Sequence, residues 1–341
     1  MLKIKLENLT ALYERISASQ DLVLPIKNAG EVNYAKYSQG AQVCLSEQTV
    51  KSAKDAFFPQ SEDLVEFKVD GKNIEVNDLR KKVEPFVLMG LRACDLKAVE
   101  ILDRVFLIEP IDTYYKTKRE KAVIVTLSCA KPEESCFCKA FGIDATNPMG
   151  DVTTHIVDGY LYWTANTEKG QALTELVKDL FEDADAQPVE AQQAQTKAIM
   201  EKLPYANIDL KAFTPDKLNE LFNDEAWAKL SESCLACGSC TFVCPTCQCY
   251  DIRDFKTNDG VKRFRCWDSC MYTDFTRMAH GNSRNVQLQR FRQRFMHKLV
   301  YYPSNNEGIY SCVGCGRCIK KCPISMNIAK VIKTIGGKKN G

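Results

Sequence analysis

Histidine is scarce in this chain of 341 residues: there are three, His155, His280 and His297, and no two stand at metal-ligand spacing. Mixed Cys/His zinc sites and Ser-His-Asp catalysis therefore both lack material. Long apolar runs are missing as well. The best, PFVLMGL and AVIVTL, fall far short of a membrane span, and the first residues, MLKIKLENLTALYERISAS, contain no apolar core or small-residue cleavage pattern. A cytosolic protein is the expectation. Nor does charge of one sign dominate: 46 basic against 44 acidic residues leave a net charge of +2, with no drive toward nucleic acid or an anionic membrane. No G-x-G-x-x-G follows a strand, GCGRC imitates it only inside a cysteine motif, and the tail IGGKKNG lacks Walker spacing. Nucleotide and flavin sites are thus not expected on this chain.

What is abundant is cysteine. Seventeen cysteines, an odd number in a chain without a secretion signal, argue against a disulfide framework and for metal ligation. The remaining composition, 45% hydrophobic and 9% aromatic, is ordinary for a globular protein of two domains. Residues 1–185 read as mixed α/β. The run 64–76 alternates around an Asp-Gly turn, 83–91 and 121–128 are buried strands, and 153–166 is a second hairpin with Tyr160, Tyr162 and Trp163 as packing residues. After Cys94 a helix places Ala98, Ile101, Leu102 and Val105 on one face, with Asp95 as its cap. The Ala/Gln-rich stretch 183–197 reads as a linker or exposed helix. From about 215 onward the pattern is helical. The expected architecture is an α/β domain over 1–200 followed by an all-helical, alpha-helical-ferredoxin type dicluster domain over 201–341.

Cys234, Cys237, Cys240 and Cys244 form C-x2-C-x2-C-x3-C-P, and Cys312, Cys315, Cys318 and Cys322 repeat it. This is the bacterial two-cluster ferredoxin signature, in which the fourth cysteine of each motif ligates the other cluster. The spacing assigns Cys234, Cys237, Cys240 and Cys322 to one 4Fe-4S cluster and Cys312, Cys315, Cys318 and Cys244 to a second. Zinc ribbons, the competing reading, use paired C-x2-C knuckles and need neither the third cysteine nor the Cys-Pro step.

Two further groups are less determined. Cys94 follows one buried strand, and Cys129, Cys136 and Cys138 follow the next, so four thiols meet at one sheet edge. A third 4Fe-4S cluster is the leading reading; a tetrahedral zinc, or a buried Cys94 beside a partial site, are the others. Cys247 and Cys249, with Cys266 and Cys270, have the composition for a fourth site. The alternative is a set of buried thiols shielding the neighbouring cubane. Cys44 has no partner and reads as structural.

The motifs GLRACDLKAVEILD, VTLSCAKPEESCFC, CLACGSCTFVCPTCQCYD, RCWDSC and CVGCGRCIKKCP, in this order, resemble the beta subunit of sulfhydrogenases, the dicluster iron-sulfur subunit of anaerobic sulfite reductase, and the iron-sulfur subunit of flavin oxidoreductases linked to heterodisulfide reductase. The resemblance runs from about residue 55 onward. It implies an electron relay of anaerobic metabolism in a hetero-oligomer, beside one subunit binding FAD, a 2Fe-2S cluster and NAD(P)H and another that is catalytic. It also implies Cys94, Cys129, Cys136 and Cys138 as one set and Cys247, Cys249 and Cys270 as another, with Cys266 departing from the family pattern. A competing function is an enzyme that reduces a disulfide or sulfur substrate at an open cluster on Cys247, Cys249, Cys266 and Cys270. A third class, an iron-sulfur regulator of nucleic acid, rests on the stretch RNVQLQRFRQRFMHK. There the aromatics at helical spacing face the core and the cations solvate or dock an acidic partner. Arg263, Arg265, Arg317, Lys320 and Lys321 lie near cluster cysteines in sequence, where positive charge would raise reduction potential; solvated surface charges are the equal alternative.

Overall fold

Two apolar runs, FVLMGL and AVIVTL, set the centre of the larger sheet. In the computed structural model, which describes residues 1–80 and 82–337, both are buried nearly throughout. The Gly/Lys tail at 338–341 lies outside the described residues. Strands buried on both faces lose the usual polar alternation, as parallel sheets require.

The strands are β1 (Leu2–Lys5), β2 (Asp21–Asn28), β3 (Glu31–Lys36), β4 (Ser61–Asp70), β5 (Asn73–Asp78), β6 (Phe86–Leu91), β7 (Ala122–Leu127), β8 (Val152–Val157), β9 (Tyr160–Ala165) and β10 (Glu182–Asp183). Eight of them form a mixed sheet in the order β10-β1-β9-β8-β7-β6-β2-β3, and its centre, β2-β6-β7-β8, is parallel. Helices α1 (Leu9–Ser19), α2 (Ala93–Phe106), α3 (Thr113–Lys121), α4 (Glu168–Val177) and α5 (Gln187–Met200) flank it. The Ala/Gln-rich stretch thus becomes α5, which buries Val189, Thr196 and Met200. Tyr162 and Trp163 are buried as hairpin packing residues, with Trp163 Nε1 donating to Thr174 Oγ1 at 2.8 Å.

The later half departs from the helical expectation at two places, the smaller being a two-residue antiparallel pair, Arg277–Met278 with Gly281–Asn282. Residues 250–267 form a hairpin, β11 (Tyr250–Lys256) and β12 (Gly260–Trp267), and β12 pairs antiparallel with β4. A four-stranded sheet, β11-β12-β4-β5, is thereby assembled from both sides of residue 200. The segment is therefore not all-helical, and the reason is local. Alternating DIRDFK and VKRFRCW flank Asp259-Gly260, a hairpin signal of the same kind as the Asp70-Gly71 turn between β4 and β5. The seam is closed by Arg265, buried on β12, whose guanidinium reaches Glu62 at 2.6 Å and also pairs with Asp112.

The helices of the later half are α6 (Leu218–Phe222), α7 (Ala226–Glu232), α8 (Ser239–Phe242), α9 (Gln287–Met296), α10 (Tyr302–Asn305), α11 (Arg317–Lys320) and α12 (Ile328–Val331). α9 continues into a wider π-type turn over His297–Tyr301, just before Pro303, which has no N–H to offer the preceding turn. Phe291 and Phe295 pack on Trp227 and, with Leu299, Val300, Ile328 and Ile332, make the core that carries both cysteine motifs. Among the described residues no helix is long and apolar enough to cross a membrane.

Candidate metal centres

The two C-x2-C-x2-C motifs lie on loops that lead into α8 and α11, so each presents its cysteines at the start of a short turn. One cavity is lined by Cys234, Cys237, Cys240 and Cys322, together with Met271, Phe291 and Arg294. A second is lined by Cys244, Cys312, Cys315 and Cys318, with Thr246, Arg294 and Lys298. Each cavity draws three cysteines from one motif and the last cysteine of the other. A third is lined by Cys94, Cys129, Cys136 and Cys138 with Arg92, and it shares Cys315 with the second. Cys94 enters it from the first turn of α2, after β6, and Cys129 from the end of the neighbouring parallel strand β7.

The third cavity is tied to the second by fixed contacts. Phe137 N–H donates to the Gly314 carbonyl at 2.8 Å, and Gln48 Nε2 donates to the Cys315 carbonyl at 2.8 Å. Gly314, at φ +59°, lies so close that an added Cβ would stand 2.5 Å from the Phe137 carbonyl. Only glycine allows this approach. Asp95 contributes in an unexpected way. It is no helix cap: it is buried within the first turn of α2, and its two oxygens receive Arg317 at 2.7 and 2.8 Å. Arg317 also donates to the Thr49 carbonyl at 2.9 Å.

The third sequence group is only partly assembled. Cys249 and Cys270 are within hydrogen-bonding reach of each other, as are Cys247 and Cys244. Cys266 is elsewhere: it lies on β12 opposite Asp251, and its charged neighbours are Arg253, Asp251 and Asp268. Cys44 has Ser46 Oγ at 3.7 Å as its contact.

The charge around the cavities carries the chemistry. Burial pushes the Cys136 and Cys312 thiols up to about 12, and the Cys138 and Cys318 thiols above the ordinary cysteine range. Left alone such groups are neutral; metal binding is what makes them thiolates. Buried cations nevertheless face them. Lys298, 3% exposed, donates to Thr246 Oγ1 at 2.8 Å and the Ser311 carbonyl at 2.9 Å. Burial alone would lower its ammonium, but Cys244, Cys247 and Cys312 outweigh that and hold it above the lysine range. Arg294, also 3% exposed, donates through Nη2 to the Cys240 carbonyl at 2.9 Å, while its Nε has no partner. Arg92 places Nη1 3.6 Å from Cys129 Sγ. Lys54, reaching across from the first half, donates to the Cys247 carbonyl at 2.8 Å and lies 3.5 Å over the Trp267 ring.

Lys54 lines none of the three cavities, and burial lowers its ammonium; the cations that do line them, Lys298, Arg294 and Arg92, pair with no carboxylate among the described residues. An unpaired buried charge is expensive, so an anionic group in each cavity is the fitting counterpart. A 4Fe-4S cluster held by four thiolates has that donor set and that negative charge. This reverses two sequence readings. Arg290, Arg294 and Lys298 are buried and do not solvate a surface. Arg265 and Arg317, for which the sequence allows either cluster tuning or surface solvation, are instead buried and neutralised by carboxylates. Arg92 and Lys54 were not singled out by the sequence at all.

Residues 233–326 match a family described as the 4Fe-4S dicluster domain. No solved structure matches the chain. Sulfhydrogenase 2 subunit beta of Pyrococcus furiosus is 34% identical over 291 residues, which cover 83% of this chain and 80% of that protein. With the dicluster domain in place and similarity over most of its length, the chain belongs to the family of sulfhydrogenase beta subunits, iron-sulfur proteins of electron transfer.

Proposed function

We propose that this chain is the electron-relay subunit of a cytoplasmic hetero-oligomeric oxidoreductase, passing electrons between a flavin/NAD(P)H subunit and a catalytic partner. Residues 201–341 supply the eight dicluster cysteines, and residues 1–200 supply Cys94, Cys129, Cys136 and Cys138 for a third cluster. Bound 4Fe-4S clusters provide one-electron chemistry. The chain's own residues would hold three such groups, in cavities of which the second adjoins the other two. Arg294 lies in the wall between the first and second cavities, and Cys315 in the wall between the second and third. That shared lining is the observation that carries the reading, because it makes the second cavity the neighbour of both others. Cys266 stands apart from Cys247, Cys249 and Cys270, so a four-cysteine open cluster for sulfur chemistry lacks a ligand.

Seventeen unpaired thiols suit a reducing compartment. The test is a steady-state assay of the full chain purified without oxygen. The relay reading expects rapid one-electron exchange with a viologen dye and no turnover of sulfite, polysulfide or an organic disulfide. Sustained dye oxidation dependent on any of those substrates contradicts it.

A further inference from the structure

We infer that Arg294 sets the reduction potentials of both C-terminal clusters together; this rests on the function proposed above. Its position is particular: Arg294 belongs to the lining of both cavities, whereas Lys298 lines only the second. The residue sits on α9, whose Phe291 and Phe295 are locked against Trp227, so the side chain starts from a rigid base. Nη2 is fixed by the Cys240 carbonyl at 2.9 Å. Nε is buried with no acceptor in the protein. Leaving a buried donor without a partner is costly, and more so when the group is charged. The walls around it offer cysteine sulfur, methionine and aromatic surface, and their two hydroxyls, Ser239 and Thr246, already engage Cys237 and Lys298, so a sulfur acceptor in one of the cavities is the partner that suits the free Nε.

A cluster gains negative charge on reduction. A cation fixed beside it in a low-dielectric wall favours the reduced form and raises the potential, and an N–H donor to sulfur acts in the same sense. One cation facing two clusters raises both. Arg265 and Arg317 cannot do this at comparable strength, since each is already held by carboxylate. Arg294 therefore acts as a potential-setting residue that moves the pair of clusters as a unit, while Lys298 adds to the second alone.

The experiment is an EPR-monitored redox titration of the full chain, with iron and acid-labile sulfide measured on each sample. Arg294→Met is expected to lower the one-electron reduction equilibrium of two clusters about tenfold or more, equivalent to 59 mV, and to leave a third within about twofold. Lys298→Met is expected to shift one cluster only. Full iron content in Arg294→Met with both potentials unchanged, or with only one changed, overturns the inference. Should Arg294→Met fail to retain iron, Arg294→Gln and Arg294→Lys decide, because both keep a polar donor and only lysine keeps the charge. Glutamine lowering two potentials while lysine holds them supports it; equal behaviour of the two overturns it. A wild-type chain that binds no iron-sulfur cluster defeats the functional reading itself, whatever Arg294 does.

Discussion

Arg265 at the seam of the four-stranded sheet and Arg294 in the wall between the C-terminal cavities are both buried arginines of the later half, solved in opposite ways. Arg265 meets Glu62 and Asp112, brought by β4 and by the residue that begins α3. Arg294 meets no carboxylate; it has the Cys240 carbonyl, a spare donor and eight thiols lining the space on either side. The seam is complete as protein, and the wall is not. Carboxylates are permanent partners at neutral pH, whereas thiols raised by burial, as at Cys240, Cys312, Cys315 and Cys318, become anionic when a metal takes them. Stability at the seam should then be indifferent to iron, and stability at the cavities should depend on it.

The largest expected effect falls on the completed pairs. Asp95→Asn leaves Arg317 buried without its counter-charge, and a loss of about 3–5 kcal/mol is expected in denaturant unfolding of iron-loaded and iron-free chain alike. Next in size, Glu62→Gln should cost about 1–3 kcal/mol, since Asp112 still holds Arg265. By contrast, Arg294→Met should behave with opposite sign in the two preparations: no less stable than wild type once a chelator has stripped the iron, and less stable when iron is bound. Equal destabilisation in both would place Arg294 with the seam.

His297 gives a smaller, pH-dependent distinction. Burial, with Lys298 and Arg284 nearby, lowers its imidazole from 6.5 to about 4. The unfolded chain takes up a proton that the folded chain refuses, so this contribution is intact above pH 6.5 and is lost as pH falls toward 4. His297→Gln should flatten that limb of the unfolding midpoint against pH. The smallest effect is expected at Cys266→Ser, with iron content unchanged and stability within about 0.5 kcal/mol.

Much of this was legible in the sequence, for unequal reasons. The dicluster cysteines are close in sequence because a cubane demands it, and the upstream ones follow two apolar strands that pairing makes neighbours. The hairpin at 250–267 was missed because cysteine motifs on both sides drew it into a helical reading, although Asp259-Gly260 and the alternation were present. The solvated reading of the α9 cations follows from treating every Arg, Lys and Gln of the stretch as one polar face, whereas Arg292, which stacks on Phe222, and the glutamines are only half-buried and Arg290 and Arg294 are buried. The signal that separates them is spacing: Arg290, Arg294 and Lys298 recur every four residues, on the row beside Phe291, Phe295 and Leu299. A cation row alongside an apolar row points to burial; Arg290 is then satisfied by the carbonyls of Met271, Arg284 and Asn285, and Arg294 and Lys298 face the cysteine cavities. Asp95 and Arg317 lie too far apart in sequence for any local pattern to pair them.

The central claim is that three four-cysteine cavities hold three clusters, with the second beside both others. Iron and acid-labile sulfide per chain, measured after oxygen-free purification, test it most directly. About 12 of each is expected. About 8 irons accompanied by one zinc would contradict the account at the upstream site.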